Sequence, residues 1–305
     1  MFKKIVVSVI ATSVALFTMV GCQQNAQKSS DESASVVTKK ESVLDIVKNS
    51  GTVIIGMGMD AAPFGYRENE ELVGFDVDIA KAVVSKLGAY AGKELKLQFK
   101  AVSDETRISW VQSGEVHMSL CHTNNTRKRD ANIDFSVPYG WDGKGVLYDL
   151  RKGEKDIETF AGKVIGIKRS SSSEGEIQAF FKKQGWENVT IKQFDSHSAG
   201  IQALVDGQID GFTDDNSIII NTAMKMNYKV GPKGILAVTK TPYSPAYFGI
   251  GVPENDSDWR DVVNYALHDL WNSGEFQTIY NKWFGEDSMC PIPLGDHGME
   301  PFVEG

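Results

Sequence analysis

The sequence predicts an α/β protein composed of two similar wound units. An apolar, strand-like run at 52–59 is followed by an amphipathic helical stretch over 74–88 and by a second strand-like run at 96–102. This βαβ order is typical of an α/β sheet. The order restarts at Lys163, with further strand-like runs separated by helical stretches. Ligands of open α/β sheets bind outside the carboxyl ends of the strands, so we expect two sets of strand ends to face one cleft.

The N-terminal region has the features of an export signal followed by a tether. Two lysines precede an apolar run over 5–20, which is too short for a comfortable membrane span. The MVGC sequence that ends at Cys22 resembles a lipobox, so we expect cleavage before Cys22 and lipidation of its thiol. An ordinary secretory peptide with an incidental cysteine is the alternative. We predict a signal peptide over 1–21 and a polar, lipidated tether over 22–40 that cannot bury enough surface to fold.

Charge and cysteine content limit the remaining possibilities. A net charge of −8, without a basic stripe interleaved with aromatic residues, argues against nucleic acid as a partner. With Cys22 lipidated, Cys121 and Cys290 remain, and the sequence leaves open whether they form a disulfide. Cys121 and His122 are neighbours in a strand and would point to opposite faces, so they cannot form a catalytic dyad. No motif has metal-ligand spacing, and we predict neither a metal site nor a cofactor.

The stretch at 119–136, SLCHTNNTRKRDANIDFS, carries the clearest ligand-binding chemistry. Thr126 and Arg129 are three positions apart, so a helical turn starting there puts both side chains on one face beside free backbone N–H groups. A guanidinium, a hydroxyl and helix-N-terminal amides together bind a small carboxylate and fix its orientation. The alternative interpretation of the basic cluster is a solvated surface.

Short segments spread along the chain form a further pattern. They are PFGY (63–66), GFDVDIAKAV (74–83), SGEVHMSL (113–120), TRKR (126–129), IDFSVPY (133–139), GKVIGIKRSSSSE (162–174), LVDGQIDGFTDD (204–215), FGIGVP (248–253) and SGEFQTIYNKWFG (273–285). In this order they resemble the polar-amino-acid family of bacterial solute-binding proteins. These are the two-lobed type II periplasmic-binding-protein, or "Venus flytrap", receptors of ABC importers. The resemblance implies that fold, with two hinge crossings.

The resemblance also implies an arrangement of domains. The C-terminal part again matches the family's first lobe, so the chain is expected to cross between the lobes twice. We place the crossings near 148–151 and 239–245, where Lys, Gly and Pro interrupt the apolar pattern. Lobe 1 is then 41–148 plus 246–305, and lobe 2, with the hinge strands, is 149–245.

In the resembled family, lobe 2 supplies the second half of the site. An acidic residue there holds the α-ammonium group of the ligand, and Asp215 occupies the matching position. A shift of one residue would substitute Asp214, and both could instead only cap the next helix. Ser171 and Ser172 stand in place of the family's Gly-Thr-Thr loop, which completes the carboxylate cage. Ser170 departs from the pattern, because glycine is usual there. The serines could also form a capping box with Glu174.

Other residues are assigned to the walls of the pocket. His122 and Asn124 match pocket-lining positions of the family, and Arg107 is expected to support the pocket floor unless it is an ordinary surface arginine. The remaining candidates are His197, flanking the cleft from lobe 2, and the aromatic residues Phe64, Tyr66 and Trp141, each of which could instead have a structural role.

The loop after the first strand bears on the ligand side chain. Relatives that bind basic ligands carry an acid and a tyrosine there, and relatives selective for glutamate or aspartate carry an arginine, whereas the matching positions here are Gly58 and Ala61. A neutral polar side chain such as that of glutamine, or a broad range of ligands, is therefore favoured. Asp60 is the exception, because its carboxylate could meet a lysine or arginine ligand.

The resemblance implies a monomeric receptor that binds a free L-amino acid between closing lobes and delivers it to the membrane permease of an ABC importer. The lipid anchor would hold it at the outer face of the cell membrane or in the periplasm. One alternative is a ligand sensor for a signalling partner, which is disfavoured because no transmembrane or kinase segment follows Gly305. A cyclohexadienyl-dehydratase-like enzyme is a further alternative. It is disfavoured because that family's Gly-Gly-Thr-Asn-Glu stretch is replaced by RSSSSE at 169–174, and we predict no enzymatic activity.

Overall fold

The computed structural model describes residues 41–285. The predicted signal peptide, the tether with Cys22, and Cys290 lie outside these described residues. The helices are α1 (Val43–Ser50), α2 (Phe75–Ala91), α3 (Ser109–Ser113), α4 (Arg127–Asp130), α5 (Ser173–Gln184), α6 (His197–Val205), α7 (Asn216–Lys225), α8 (Ser257–Asn272) and α9 (Glu275–Phe284), with short 3-10 helices at Leu150–Lys152 and Ile157–Phe160. Among residues 41–285, no helix combines the length and the apolar character needed to cross a membrane.

The strands of the described region form two larger sheets and one small sheet. They are β1 (Thr52–Met57), β2 (Asp60–Ala61), β3 (Gly65–Glu68), β4 (Glu71–Val73), β5 (Lys96–Ala101), β6 (Met118–Leu120), β7 (Asp134–Phe135), β8 (Gly140–Asp149), β9 (Val164–Lys168), β10 (Thr190–Phe194), β11 (Gly211–Asp215), β12 (Leu236–Val238), β13 (Ser244–Phe248) and β14 (Gly251–Val252). The first sheet has the order β5-β1-β6-β14-β7, and the second has the order β10-β9-β11-β8-β12 with β13 also on β8. Strands β2, β3 and β4 form the small sheet.

Both larger sheets begin with a βαβ unit, as the sequence predicts. Strand β1 pairs in parallel with β5 and β6, and β9 pairs in parallel with β10 and β11. We call the first sheet and the helices packed on it the first lobe, and the second sheet and its helices the second lobe. The predicted two-lobed α/β architecture is therefore confirmed.

Each lobe has its own apolar core. In the first lobe, buried residues of β1, α2, α8 and α9 form one cluster that includes Phe75 and Trp259. In the second lobe, Val146 and Leu147 of β8 belong to two different clusters. Because neighbouring residues of a strand point to opposite faces, both faces of the second sheet are covered. Burial of large apolar side chains, worth about 1.5–3 kcal/mol each, holds each lobe together.

Strands β8 and β13 connect the lobes. They pair antiparallel from Gly140↔Phe248 to Lys144↔Ser244, and β8 continues into the second sheet as far as Asp149. The chain therefore changes sheets just before Gly140 and returns just after Phe248, whereas the sequence predicted crossings at 148–151 and 239–245. The first residues of β8 and the last of β13 still pack on the core of the first lobe. The predicted lobe boundaries remain a prediction, and this strand pair is the candidate hinge.

Candidate functional site

A cleft with about 250 Å³ of empty space, open solvent included, lies between the two lobes. Ten side chains from both lobes line it: Asp104, Arg107, His122, Asn124, Arg129, Ser171, Ser172, His197, Asp214 and Asp215. Eight of them are site residues named from the sequence, Asp214 is the stated alternative to Asp215, and Asp104 is new.

Arg129 is presented by the short helix α4, as the spacing of Thr126 and Arg129 predicts. The Thr126 side chain caps this helix by accepting the backbone N–H of Arg129 across 3.4 Å. Thr126 therefore shapes the turn and does not line the cleft. The guanidinium donates to the carbonyl oxygen of Asn124 across 3.0 Å, and donors remain for a ligand because the group has five N–H bonds. Burial, followed by repulsion from Arg107, lowers the pKa of Arg129 to about 10, so it stays charged at neutral pH.

A chain of ion pairs crosses the cleft beside Arg129. Arg107 is 3% exposed and donates to the carbonyl oxygen of Cys121 across 3.0 Å and to Asp104 across 2.8 Å. The second oxygen of Asp104 lies 2.9 Å from the ammonium nitrogen of Lys168, at the end of β9 in the second lobe. Lys168 also binds Asp60 across 2.9 Å, so Asp60 pairs with the second lobe and does not line the cleft. Two acids and two bases therefore neutralise one another.

Charge pairing in this chain outweighs the cost of burial. Burial alone would raise the pKa of Asp104, but Arg107 and Lys168 hold that pKa well below its usual range. Burial alone would lower the pKa of Lys168, but Asp104 and Asp60 raise it. Asp104, Arg107 and Lys168 therefore keep their charges at neutral pH. Each already has a partner of opposite sign.

His122 presents a neutral ring to the cleft from an unusual backbone conformation, with φ of 36°. Its backbone N–H donates to the buried carboxylate of Asp76 across 2.8 Å, and the Tyr139 hydroxyl donates to the other oxygen across 2.9 Å. These contacts fix the loop that follows β6. Burial, followed by the charge of Arg107, lowers the pKa of His122 to about 3. Its buried Nδ1 has no hydrogen-bond partner among the described residues, so a ligand could use it.

The predicted aromatic walls do not line the cleft. Phe64 is 1% exposed and belongs to the core of the first lobe, and Trp141 packs in the same core with its ring 6.1 Å from that of Phe276. Tyr66 lies beneath the Lys225 ammonium group, 3.4 Å from the ring centroid. The alternative stated for the aromatic residues, a structural role, fits these positions. Large apolar side chains release more free energy when packed in a core than beside a charged cleft.

The serine loop of the second lobe, residues 170–173, forms a turn with Ser170 at the position where the family usually has glycine. Ser170 has a positive φ of 61°, and its hydroxyl donates to Glu105 of the first lobe across 3.3 Å. Ser171 accepts the backbone N–H of Ser173 across 3.1 Å and donates its hydroxyl proton to the Ser173 oxygen across 2.8 Å. Ser171 and Ser172 thereby reach the cleft.

The capping box suggested for this loop does not form. Ser172 is the N-cap of α5, but its side chain accepts no backbone hydrogen bond of the helix. Glu174 instead accepts from Gln193 across 3.0 Å. The Ser172 hydroxyl oxygen instead accepts a hydrogen bond from Lys144 across 2.6 Å.

Asp214 and Asp215 end strand β11 and have different surroundings. Asp214 lies 3.0 Å from Nε2 of His197, accepts the Ser173 hydroxyl across 3.3 Å and accepts the Asp215 backbone N–H across 3.0 Å. Asp215 is 1% exposed, and its Oδ1 has no hydrogen-bond partner among the described residues. The nearest cation to that oxygen is Lys144, 4.0 Å away. The side chain of Asp215 makes no cap hydrogen bond with α7, so the helix-cap interpretation does not fit it.

These surroundings separate the pKa values of the two acids. Burial alone would raise the pKa of Asp214, but the hydrogen bond and charge of His197 outweigh it and hold that pKa below its usual range. Burial raises the pKa of Asp215 well above its usual range, and Lys144 opposes this only in part. Asp215 is therefore the carboxylate that gains most from a positively charged ligand group.

Cys121 is buried and forms no disulfide with another described residue. Burial raises the pKa of its thiol to about 12, although the charge of Arg107 opposes the shift. Whether it pairs with Cys290, which the sequence leaves open, is not tested because Cys290 lies outside the described residues. Over residues 41–285, no group of three or more His, Cys, Asp or Glu side chains is arranged to hold a metal ion.

A two-lobed α/β protein with a charged cleft between its sheets has the architecture of type II solute-binding proteins. Residues 53–286 match the profile of the bacterial extracellular solute-binding proteins, family 3, and the chain belongs to that family. This confirms the resemblance seen in the sequence. Members of the family are substrate-binding proteins.

Individual relatives match over most of this chain. The ABC transporter glutamine-binding protein GlnH of Bacillus subtilis (strain 168) is 28% identical over 279 residues, which cover 90% of this chain and 96% of that protein. The solved structure of an ancestral arginine-binding protein bound to arginine is 31% identical, with a TM-score of 0.66, covering 77% of this chain and 99% of that one. An ancestral arginine-binding protein bound to glutamine is 30% identical, with a TM-score of 0.65 and the same coverage.

Proposed function

We propose that this protein binds one free L-amino acid in the cleft and, as a monomer, delivers it to the permease of an ABC importer. The observation that carries the proposal is the pair of opposite charges across the cleft. The Arg129 guanidinium lies on the first lobe, and the Asp215 carboxylate lies on the second, with one oxygen that has no hydrogen-bond partner within residues 41–285. Their charges complement the carboxylate and the ammonium group of a zwitterion. The names of the relatives, which are binding proteins for glutamine or arginine, support this ligand class.

The same charge pair supports closure of the lobes by the ligand. An amino acid held by Arg129 and Asp215 would bridge two lobes that, over residues 41–285, are joined covalently through β8 and β13. Opening would separate the ligand from one of its partners, so a ligand favours the closed state by its differential affinity for it. We infer a receptor, not an enzyme, because the family consists of solute-binding proteins and the similar relatives are named as binding proteins.

The side-chain end of the cleft supports a neutral polar ligand such as glutamine. Asp104 is paired with Arg107 and Lys168, so it has no unpaired charge for a lysine or arginine ligand. Arg107 and Lys168 are likewise paired, which leaves neither free for a second ligand carboxylate. A full charge would enter without a partner at a cost of several kcal/mol. The neutral His122 ring remains available for a hydrogen bond to an amide group.

Thermal-shift measurements with each of the twenty amino acids test the function. We expect glutamine or another neutral polar amino acid to raise the melting temperature most, because stabilisation grows as RT ln(1 + [L]/Kd). Calorimetry on the leading ligand should give one site per chain. If no amino acid stabilises the protein, the proposed function is wrong. If lysine, arginine or glutamate leads while glutamine has no effect, only the proposed side-chain preference is wrong.

We further propose that Cys22 carries the lipid that holds the protein at the outer face of the cell membrane or in the periplasm. The support is the MVGC sequence after an apolar run. In bacteria that express the full chain, the wild-type protein is expected in the membrane fraction with incorporated labelled palmitate. The Cys22→Ser variant should be exported without the label and be released from the membrane. Equal labelling of both proteins would place the lipid on another residue, and absence of label from both would show that Cys22 is not lipidated.

A further inference from the structure

A lysine lies buried behind the cleft in the second lobe. The Lys144 side chain, on β8, is 1% exposed. Its ammonium nitrogen lies 2.6 Å from the Ser172 hydroxyl oxygen, 3.2 Å from Oε1 of Glu176 and 3.3 Å from the Ser173 hydroxyl oxygen. It also lies 4.0 Å from Oδ1 of Asp215. Burying a lysine costs free energy unless partners compensate its charge, so these contacts are needed to keep Lys144 buried.

Lys144 touches the cleft only through other residues. Ser172 and Asp215 line the cleft, whereas Lys144 and Glu176 lie behind them. The lysine therefore contacts one expected partner of the ligand carboxylate and lies near the expected partner of the ligand ammonium group. Neither the sequence motifs nor the proposed function uses it.

Three other acidic groups act electrostatically on Asp215: Asp142 of β8, Asp214 of β11 and Glu176 of α5. His197 of α6 is bound to Asp214. Arg129 of the first lobe also interacts electrostatically with Asp215. Like charges in a buried site resist simultaneous ionisation. Within the second lobe, Lys144 is the cation that acts most strongly on Asp215, and it therefore stabilises the ionised form that an ammonium ligand needs.

Lys144 also sets the direction of the Ser172 hydroxyl. An ammonium group only donates, so the Ser172 oxygen must accept the bond from Lys144. The hydroxyl proton of Ser172 then points away from Lys144 and can be donated to an acceptor in the cleft. A ligand carboxylate is such an acceptor.

We propose that Lys144 is a positioning residue of the ligand site, which supplies the fixed counter-charge of Asp215 and turns the Ser172 hydroxyl toward the ligand. The proposal rests on the proposed function only for the identity of the ligand. The link between Lys144 and Asp215 is a property of the ligand-free protein and can be tested separately.

The test compares how binding depends on pH. Only ionised Asp215 attracts an ammonium group, so the affinity of the wild-type protein for L-glutamine should rise with pH and level off once Asp215 is ionised. Because burial raises the pKa of Asp215 in the free protein, the rise is expected above the pH range in which an aspartate ordinarily ionises. In Lys144→Met the midpoint should move up by at least about one pH unit, so affinity below it falls on the order of tenfold. Calorimetry from pH 5 to pH 9 measures both curves.

Lys182→Met is the matched control, because it removes the same charge from the exposed surface of α5 in the same lobe. Its midpoint should equal that of the wild-type protein. Lys144→Gln is a second neutral variant for the case in which Lys144→Met does not fold, and it should shift the midpoint in the same direction. Equal midpoints for the Lys144 variants and the wild-type protein would overturn the proposal.

A ligand-independent measurement separates this inference from the proposed function. Carbon-13 NMR of the aspartate carboxyl carbons in the ligand-free protein, assigned with Asp215→Asn, follows the ionisation of Asp215 directly. The titration midpoint should be higher in Lys144→Met than in the wild-type protein and unchanged in Lys182→Met. An unchanged Asp215 titration in Lys144→Met refutes the link even if amino acids bind. A shifted titration supports it even if glutamine is not the ligand.

Discussion

The Arg129→Met variant is expected to lose at least ~3 kcal/mol of amino-acid binding free energy, more than a hundredfold in Kd, because it leaves the ligand carboxylate without its charged partner. Arg129 is largely buried and still charged at neutral pH. A carboxylate enclosed beside a methionine would keep the cost of desolvation without the compensating ion pair. Calorimetry with the leading amino acid gives the difference directly.

Arg127→Met is the matched control for this prediction. Arg127 lies on the same short helix, carries the same charge and is exposed. The control should bind within about twofold of the wild-type protein, since an isolated surface charge contributes little. Arg129→Lys should fall between the two variants, because lysine keeps the charge but not the planar pair of donors. Equal affinities for Arg129→Met and Arg127→Met would show that the ligand carboxylate binds elsewhere.

The sequence predicts well those features that depend on local patterns. The βαβ order is visible because buried strands and amphipathic helices have distinct periodicities. The Thr126 to Arg129 turn is equally local, since a helix cap and its third residue always lie close together. The position of Asp215 at a strand end follows from its place after an apolar run.

The sequence does not show which charged residues meet across the cleft. Asp104 lies in the polar segment SDETR, which reads as an exposed loop, and its partner Lys168 is more than sixty positions away. Asp60 is a ligand candidate in the sequence, since no sequence pattern reveals that Lys168 neutralises it. Tertiary packing decides which charged residues of the two lobes form ion pairs. A residue that the sequence suggests as a ligand contact can therefore bind the other lobe instead, as Asp60 does.

Burial is the second property that local patterns leave open. Phe64 and Trp141 follow motifs near the cleft, and only the packing of the first lobe decides that their rings face its core. Lys144 is the opposite case, a charged residue that is buried. A lysine is normally solvated, and nothing in the sequence around Lys144 indicates that α5 and the serine loop enclose it.

The Asp215→Asn variant is expected to weaken amino-acid binding by at least ~3 kcal/mol, whereas Asp214→Asn should weaken it less than tenfold. Both substitutions keep the shape of the side chain and remove one charge from the same strand end, so each serves as the control for the other. The difference follows from their partners. Asp214 is bound by His197 and Ser173, while Asp215 is buried with an oxygen for which the described part of the chain provides no hydrogen-bond partner.

Calorimetry measures the affinities, and small-angle scattering measures closure in the same samples. Saturating amino acid should reduce the radius of gyration of the wild-type protein and of Asp214→Asn. The same ligand concentration should leave Asp215→Asn unchanged, because the second lobe then lacks the carboxylate that we expect to hold the ligand ammonium group. If Asp214→Asn instead loses binding and closure while Asp215→Asn keeps them, the ammonium partner is Asp214. If both variants bind as tightly as the wild-type protein, the ligand has no ammonium group at this strand end.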